Sequence, residues 1–75
     1  MTKLIHEYDG KYELFGTYET EQEARQAIVK YCDDIGFKSY YWNMYIMPEN
    51  SEYAGGTHVD YGSWTDFFII VGDKI

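Results

Sequence analysis

Two strand-like runs, residues 3–8 and 11–18, flank the dipeptide Asp9-Gly10 near the start of the chain. Asp-Gly between such runs favours a two-residue type I′ turn, because that turn needs positive φ at both central positions. The pattern therefore predicts that the chain opens with a β-hairpin.

An amphipathic helix is predicted after the hairpin. Thr20 and Glu23 have the spacing of a capping box, in which the threonine side chain accepts the backbone N–H three residues on. Gly36 is placed to end the helix in a left-handed conformation. Between these signals the apolar side chains recur at helical spacing and form one stripe, made of Ala24, Ala27, Ile28, Tyr31 and Ile35.

Residues 38–47 are typical of a strand with large aromatic or apolar side chains on both faces. Because alternate residues of a strand point to opposite faces, the sequence predicts two sets. The core-facing set is Tyr40, Trp42, Met44 and Ile46. The outward set is Tyr41, Asn43, Tyr45 and Met47. An outward aromatic surface is covered by more protein or stays exposed, and an exposed one usually meets a partner.

The C-terminal part predicts two further strands. Pro48 ends the aromatic strand, residues 49–56 form a polar loop, and residues 57–60 and 65–71 are strand-like. The order ββαβββ or ββαββ predicts a single α+β domain over residues 1–75. Its two layers are a mainly antiparallel four- to five-stranded sheet and one helix packed on one face. Strand order stays open, although a right-handed crossover through the helix would place the aromatic strand beside the first hairpin.

Charge restricts the classes of partner. The chain has 13 acidic and 6 basic side chains and a net charge of -7. Such a field repels phosphate backbones and anionic lipid and attracts basic surfaces, so direct nucleic-acid or membrane binding is disfavoured. Lys38 is the only basic residue from Asp33 to the end of the aromatic strand, unlike RNA-binding sheets that pair aromatic rings with basic side chains.

Cysteine content and hydropathy indicate a cytoplasmic protein. Cys32 is the only cysteine, so no intramolecular disulfide can form, which suits a reducing compartment. The N-terminal residues lack an apolar run of signal-peptide length, and no segment approaches the roughly 20 apolar residues that span a bilayer.

Candidate catalytic and metal-binding residues are few. His58, Asp60 and Ser63 can be written as a hydrolase-like set, but a small domain rarely holds the pocket and oxyanion hole that such chemistry needs. The expected role of these residues is structural, with Asp60 organising a turn. The possible metal ligands lack the close paired spacing of a zinc site, so we expect neither an enzyme nor a cofactor site; these ligands are His6, Cys32, His58 and Asp60.

Two segments carry a resemblance, FGTYETEQEARQAIVKYCDDIGFKSYYW and VDYGSWTDFFII. In them an EEA-type helix, which contains Glu23 and Ala24, precedes an aromatic strand, and a DYGS turn precedes a Phe-rich strand. Together they resemble small acidic proteins of unknown function from phages and prophages of Gram-positive bacteria. The resemblance implies a bacterial or phage setting and a similarity to inhibitors of host defence, including anti-CRISPR and anti-restriction proteins, some of which imitate nucleic acid.

Two hypotheses of different classes follow. The first is a non-enzymatic inhibitor or adaptor that occupies a basic, nucleic-acid-facing surface of a larger protein. The second is a self-associating structural module that forms a homodimer through the aromatic sheet face. The acidic side chains could instead serve only to keep an aromatic-rich protein soluble. The predicted partner-binding residues are Tyr41, Tyr45, Glu21, Glu23, Asp33, Asp34, Glu49 and Glu52.

Overall fold

A computed structural model describes residues 1–38 and 42–72 of the chain. The described part contains an antiparallel five-stranded sheet with the order β2-β1-β5-β4-β3 and one helix, which confirms the predicted α+β fold. Three residues of the predicted aromatic strand, Ser39, Tyr40 and Tyr41, lie outside the described residues. The elements are β1 Thr2–Tyr8, β2 Lys11–Tyr18, α1 Glu21–Asp34, β3 Asn43–Ile46, β4 Thr57–Asp60 and β5 Asp66–Val71.

The local signals in the first half of the chain produce the predicted structures. Asp9 and Gly10 have φ values of 56° and 73°, as a type I′ turn requires. The N–H of Glu23 donates to Thr20 Oγ1 over 3.1 Å and caps α1. At the other end Gly36 has a φ of 72°, and the N–H of Phe37 donates to the carbonyl of Cys32 over 2.8 Å. The hairpin and both ends of the helix are therefore confirmed.

The strand order, which the sequence left open, does not place the aromatic strand beside the first hairpin. β3 lies at the far edge of the sheet beside β4, and the inner neighbour of the first hairpin is β5. The aromatic strand is also shorter than expected, since β3 has 4 residues. β5 lies beside the first hairpin because it is apolar on both faces. Phe68 and Ile69 are both fully buried, and a strand that is apolar on both faces is most stable at the centre of a sheet. β3, β4 and β5 form the expected C-terminal meander.

The core lies between α1 and one face of the sheet. Its buried side chains are Leu4, Ala24, Ile28, Cys32, Val59, Tyr61, Phe68 and Ile70. Trp42 packs against this cluster, so its predicted direction is confirmed. Met44 and Ile46 alternate to the same side of the sheet but remain exposed, because α1 contacts β1, β2 and β5 and does not extend over the β3 edge. Ile35 is also exposed, since the helix ends at Asp34.

The sheet face away from α1 is called the open face. Its side chains alternate with the core side chains along the strands. On this face Glu7 is the cross-strand neighbour of both Tyr12 and Phe67, and Tyr45 is the cross-strand neighbour of His58. The loop 47–56 closes on itself, because the N–H of Met47 donates to the carbonyl of Gly56 over 2.8 Å and the N–H of Gly55 donates to the carbonyl of Met47 over 3.3 Å. Tyr53 of the loop contacts Tyr12 with ring centroids 5.2 Å apart. The open face is thus partly covered by the loop and partly exposed.

Candidate functional site

A row of aromatic rings crosses the exposed part of the open face. Tyr45 stacks on His58 with centroids 4.5 Å apart and an interplanar angle of 15°, and His58 contacts Phe67 at 5.0 Å. The Tyr45 side chain is 54% exposed and Tyr12 is 44% exposed, whereas His58 beneath Tyr45 is buried. Two tyrosines on one sheet face therefore present ring surface to solvent, as at many protein interfaces.

Carboxylates lie beside these rings. Glu7 Oε1 is 3.5 Å from His58 Nε2 at the base of the row. The negative charge of Glu7 raises the pKa of the Tyr12 phenol, and burial and the charge of Glu52 raise it further. The Tyr12 hydroxyl thus lies in the negative field of Glu7, with Glu52 of the loop adding to it. A surface that combines exposed rings with carboxylates attracts ammonium and guanidinium groups.

A hydrogen-bonded turn, residues 61–65, lies at one end of this row. Asp60 Oδ1 accepts the N–H of Gly62 over 2.9 Å, which confirms the predicted turn role of Asp60. Ser63 Oγ accepts the N–H of Thr65 over 3.2 Å. Trp64 projects from the turn and is 96% exposed. A depression of about 290 Å³ adjoins it and is lined by Asp60, Gly62, Ser63, Trp64 and Phe67.

The predicted partner-binding residues do not form one surface. Tyr45 lies on the open face, and Glu52 lies close enough to influence Tyr12. Glu49 is exposed on the loop 47–56, and Tyr41 lies outside the described residues. The remaining four belong to α1, which packs against the opposite face of the sheet; they are Glu21, Glu23, Asp33 and Asp34.

Two of the acidic residues on α1 are also paired with basic residues of the same helix. Glu21 Oε2 is 3.2 Å from Arg25, and Asp34 Oδ2 is 3.3 Å from Lys30, both at the i,i+4 spacing. Their charge is therefore partly compensated, and a partner on the open face would meet the loop carboxylates rather than the helical ones.

A second polar cluster lies on the helix side of the sheet and was missed by the sequence reasoning. The Asp66 carboxylate accepts hydrogen bonds from Tyr61 and Ser63, and its Oδ2 is 2.7 Å from His6 Nε2. Burial alone would raise the pKa of Asp66, but hydrogen bonds from Ser63, Tyr61 and His6 outweigh it and hold the pKa below its ordinary value. His6 in turn stacks on Phe68 with centroids 4.6 Å apart. The cluster joins β1 to the turn and to β5.

The hydrolase-like set is not assembled. His58 lies beside Glu7, Asp60 holds the Gly62 N–H, and Ser63 donates to Asp66. In the cluster that does contain Ser63, the carboxylate of Asp66 stands between the serine and His6, whereas a nucleophilic serine needs the histidine as its immediate base. The geometry suits an ionised carboxylate that organises a turn.

We expect Tyr61→Phe to lower the free energy of unfolding by about 1 to 2 kcal/mol at neutral pH, because Asp66 loses a buried donor. Burial, followed by the hydrogen bond to Asp66 and its charge, raises the pKa of Tyr61 above its ordinary 10.0. The folded protein therefore holds this proton more tightly than the unfolded chain, and the contribution present below pH 10 is lost as pH rises further.

Urea denaturation at neutral and alkaline pH tests this prediction. Tyr61→Phe should show a weaker alkaline decline than the parent protein, since phenylalanine cannot ionise. Tyr45→Phe is the matched control, because Tyr45 is exposed on the open face. Equal stability of the two variants at neutral pH would contradict the role given to the Tyr61 hydroxyl.

The described residues also bear on a metal site, a reactive thiol and a membrane-spanning helix. Within residues 1–38 and 42–72, no group of three or more His, Cys, Asp or Glu side chains is arranged to hold a metal ion. His6 and His58 lie on opposite faces of the sheet. Burial, with the charges of Asp33 and Asp66, raises the pKa of the Cys32 thiol, which disfavours a reactive thiolate. In the same ranges, no helix has the length and apolar character needed to cross a membrane.

Comparisons of the chain with protein-family models, curated proteins and solved structures gave no match.

Proposed function

We propose that the chain is a non-enzymatic protein-binding module that occupies a basic, normally nucleic-acid-facing surface of a larger protein. The observation that carries the proposal is the pairing of exposed rings with carboxylates on the open face. Tyr12 and Tyr45 supply apolar contact area, and Glu7 and Glu52 supply the negative field beside them. The net charge of -7 adds attraction at longer range.

The resemblance to phage and prophage proteins suggests the biological setting. In that setting a small acidic protein that covers a nucleic-acid-binding surface would act as an inhibitor or adaptor, in the manner of an anti-CRISPR or anti-restriction protein. Placement of the charges favours the open face over α1 as the contact surface, because the carboxylates of Glu21 and Asp34 are compensated by basic neighbours.

A non-enzymatic role agrees with the polar clusters. Asp66 is engaged by Tyr61, Ser63 and His6, and Asp60 Oδ1 accepts the N–H of Gly62, so both carboxylates have a structural role.

We expect reversal of the loop charges, Glu49→Lys with Glu52→Lys, to slow association with the partner about tenfold, because electrostatic attraction mainly accelerates encounter. The partner is obtained by capture from a Gram-positive bacterial lysate, purified, and measured by surface plasmon resonance at low and high salt. Attraction between exposed charges should weaken as salt rises, since the screening length is about 8 Å at 0.15 M ionic strength.

The matched control is Asp33→Lys with Asp34→Lys, which changes the net charge by the same amount on the other side of the sheet. This control should retain most of the association rate, and both variants should stay folded. If the helix variant slows association as much as the loop variant, net charge rather than the open face governs binding. An association rate that does not change with salt would contradict the electrostatic contribution.

Self-association is the second candidate, because β3 is an edge strand whose Met44, Tyr45 and Ile46 are all exposed. An exposed edge can pair with the same edge of another copy. Sedimentation equilibrium over a range of concentrations separates the candidates. A monomer at high concentration favours the contact with another protein, and a dimer that Tyr45→Ala dissociates favours the structural module.

A further inference from the structure

We propose that the depression beside Trp64 on the open face binds the guanidinium group of an arginine on the partner protein. This inference rests on the proposed function and names the chemistry of its main contact. The residues that carry it are Trp64, Phe67 and Asp60, which line the depression together.

Trp64 is exposed in a way that needs an explanation. It is 96% exposed, although burying an indole is among the larger gains available to a folded chain. The turn that carries it is fixed on both sides by the Asp60–Gly62 and Ser63–Thr65 hydrogen bonds. The backbone that presents the indole is therefore ordered before binding, and tryptophan is enriched among the residues that dominate interfaces.

The lining of the depression matches an arginine side chain. Guanidinium groups stack on aromatic faces, and the indole is the strongest such partner among the aromatic side chains. Phe67 offers a second ring beside Trp64, and Asp60 offers a carboxylate. Asp60 Oδ1 is engaged with the Gly62 N–H, and a carboxylate oxygen retains capacity for a further donor. The depression therefore combines a planar stacking surface with an acceptor for N–H groups.

A second copy of the chain is a poor source of this group. The sequence contains one arginine, Arg25, and its side chain lies 3.2 Å from Glu21 on the same helix. A partner with a basic, nucleic-acid-facing surface is rich in arginine, because arginine is suited to phosphate recognition. Charge complementarity therefore assigns the depression to the partner protein.

The test uses an oligo-arginine peptide and an oligo-lysine peptide of equal length as probes. The indole N–H resonance of Trp64 reports binding by nuclear magnetic resonance, and that of Trp42, which packs against the core, is the internal control. We expect the arginine peptide to shift the Trp64 resonance and leave Trp42 unchanged, and to bind several-fold more tightly than the lysine peptide, because a guanidinium stacks as well as pairs.

Two variants examine the two parts of the site. Trp64→Leu keeps an apolar side chain without the ring and should weaken arginine-peptide binding about tenfold. Asp60→Asn removes the charge but keeps an oxygen that can accept the Gly62 N–H, so the turn should survive while binding weakens severalfold. Val29→Ala, an exposed apolar truncation on α1, is the control and should have no effect.

Three results would overturn the inference. One is equal binding of the two peptides with no shift at Trp64. Another is an arginine-peptide affinity that neither Trp64→Leu nor Asp60→Asn changes. In that case the proposed function still stands, without this site, if reversal of the charges of Glu49 and Glu52 slows association with the captured partner. The last is a dimer that Trp64→Leu dissociates, which would assign the depression to a second copy.

Discussion

Asp66→Ala is expected to lower the free energy of unfolding by about 3 to 5 kcal/mol, a large share of the 5 to 15 kcal/mol typical of a domain. Asp66 is the common acceptor for His6, Tyr61 and Ser63, and its side chain is only 13% exposed. Removing it leaves these partners without their acceptor at the junction of β1, the turn and β5. The effect exceeds that of losing one hydrogen bond, because three side chains lose the same acceptor together.

Urea denaturation of the parent protein and the variant measures this loss. Asp33→Ala is the matched control, since Asp33 is an exposed carboxylate on α1, and it should change the unfolding free energy by no more than about 0.5 kcal/mol. Similar losses in the two variants would contradict the structural role of the Asp66 cluster.

The same carboxylate gives a pH dependence with a defined direction. The pKa of Asp66 in the folded protein lies below its ordinary 3.8, so the folded state favours the ionised form. Its contribution is present above pH 3.8 and is lost as pH falls through the lower folded pKa. Asp66→Asn should therefore reduce the steepness of acid unfolding. An unchanged acid transition would show that other carboxylates determine it.

Combined truncation of Tyr12 and Tyr45 to alanine is expected to weaken partner binding about a hundredfold, because exposed aromatic anchors contribute a large part of binding free energy. The unfolding free energy should change by about 1 kcal/mol, since both residues are only about half buried. Loss of the Tyr45 ring would also open His58 to water, and His58 Nδ1 is buried without a hydrogen-bond partner among the described residues. Hydration of that atom should offset part of the lost packing.

The control for this pair is Val29→Ala with Ile35→Ala, two exposed apolar side chains on the helix side. Calorimetric titration with the captured partner gives the affinities, and urea denaturation gives the stabilities. If the tyrosine variant is the less stable one and binds normally, the exposed rings stabilise the fold and the contact lies elsewhere.

The parts of the fold that the sequence predicted correctly depend on residues close together in the chain. The Asp9-Gly10 turn, the Thr20 cap and the Gly36 helix end each follow from a few neighbouring residues. The opposite directions of Trp42 and Tyr45 follow from strand alternation, and both are confirmed.

The parts that the sequence did not reveal depend on distant residues. From the sequence, β1 could pair with the aromatic strand or with β5. It pairs with β5, whose two faces are both buried, and this burial depends on residues distant in the chain. His6 and Asp66 are 60 positions apart, and no local pattern links them. The sequence alone did not distinguish the acidic residues of α1 from those of the loop 47–56. Packing of α1 on the core side places the acidic residues of α1 on the opposite side of the sheet from Tyr45.

Hydrogen exchange of the protein alone and in complex with the captured partner tests most directly whether the open face is the binding surface. We expect slower exchange on binding in β3, β4, the turn 61–65 and the Tyr12 end of β2, with α1 unchanged. Slower exchange confined to α1, with the open face unaffected, would contradict this expectation.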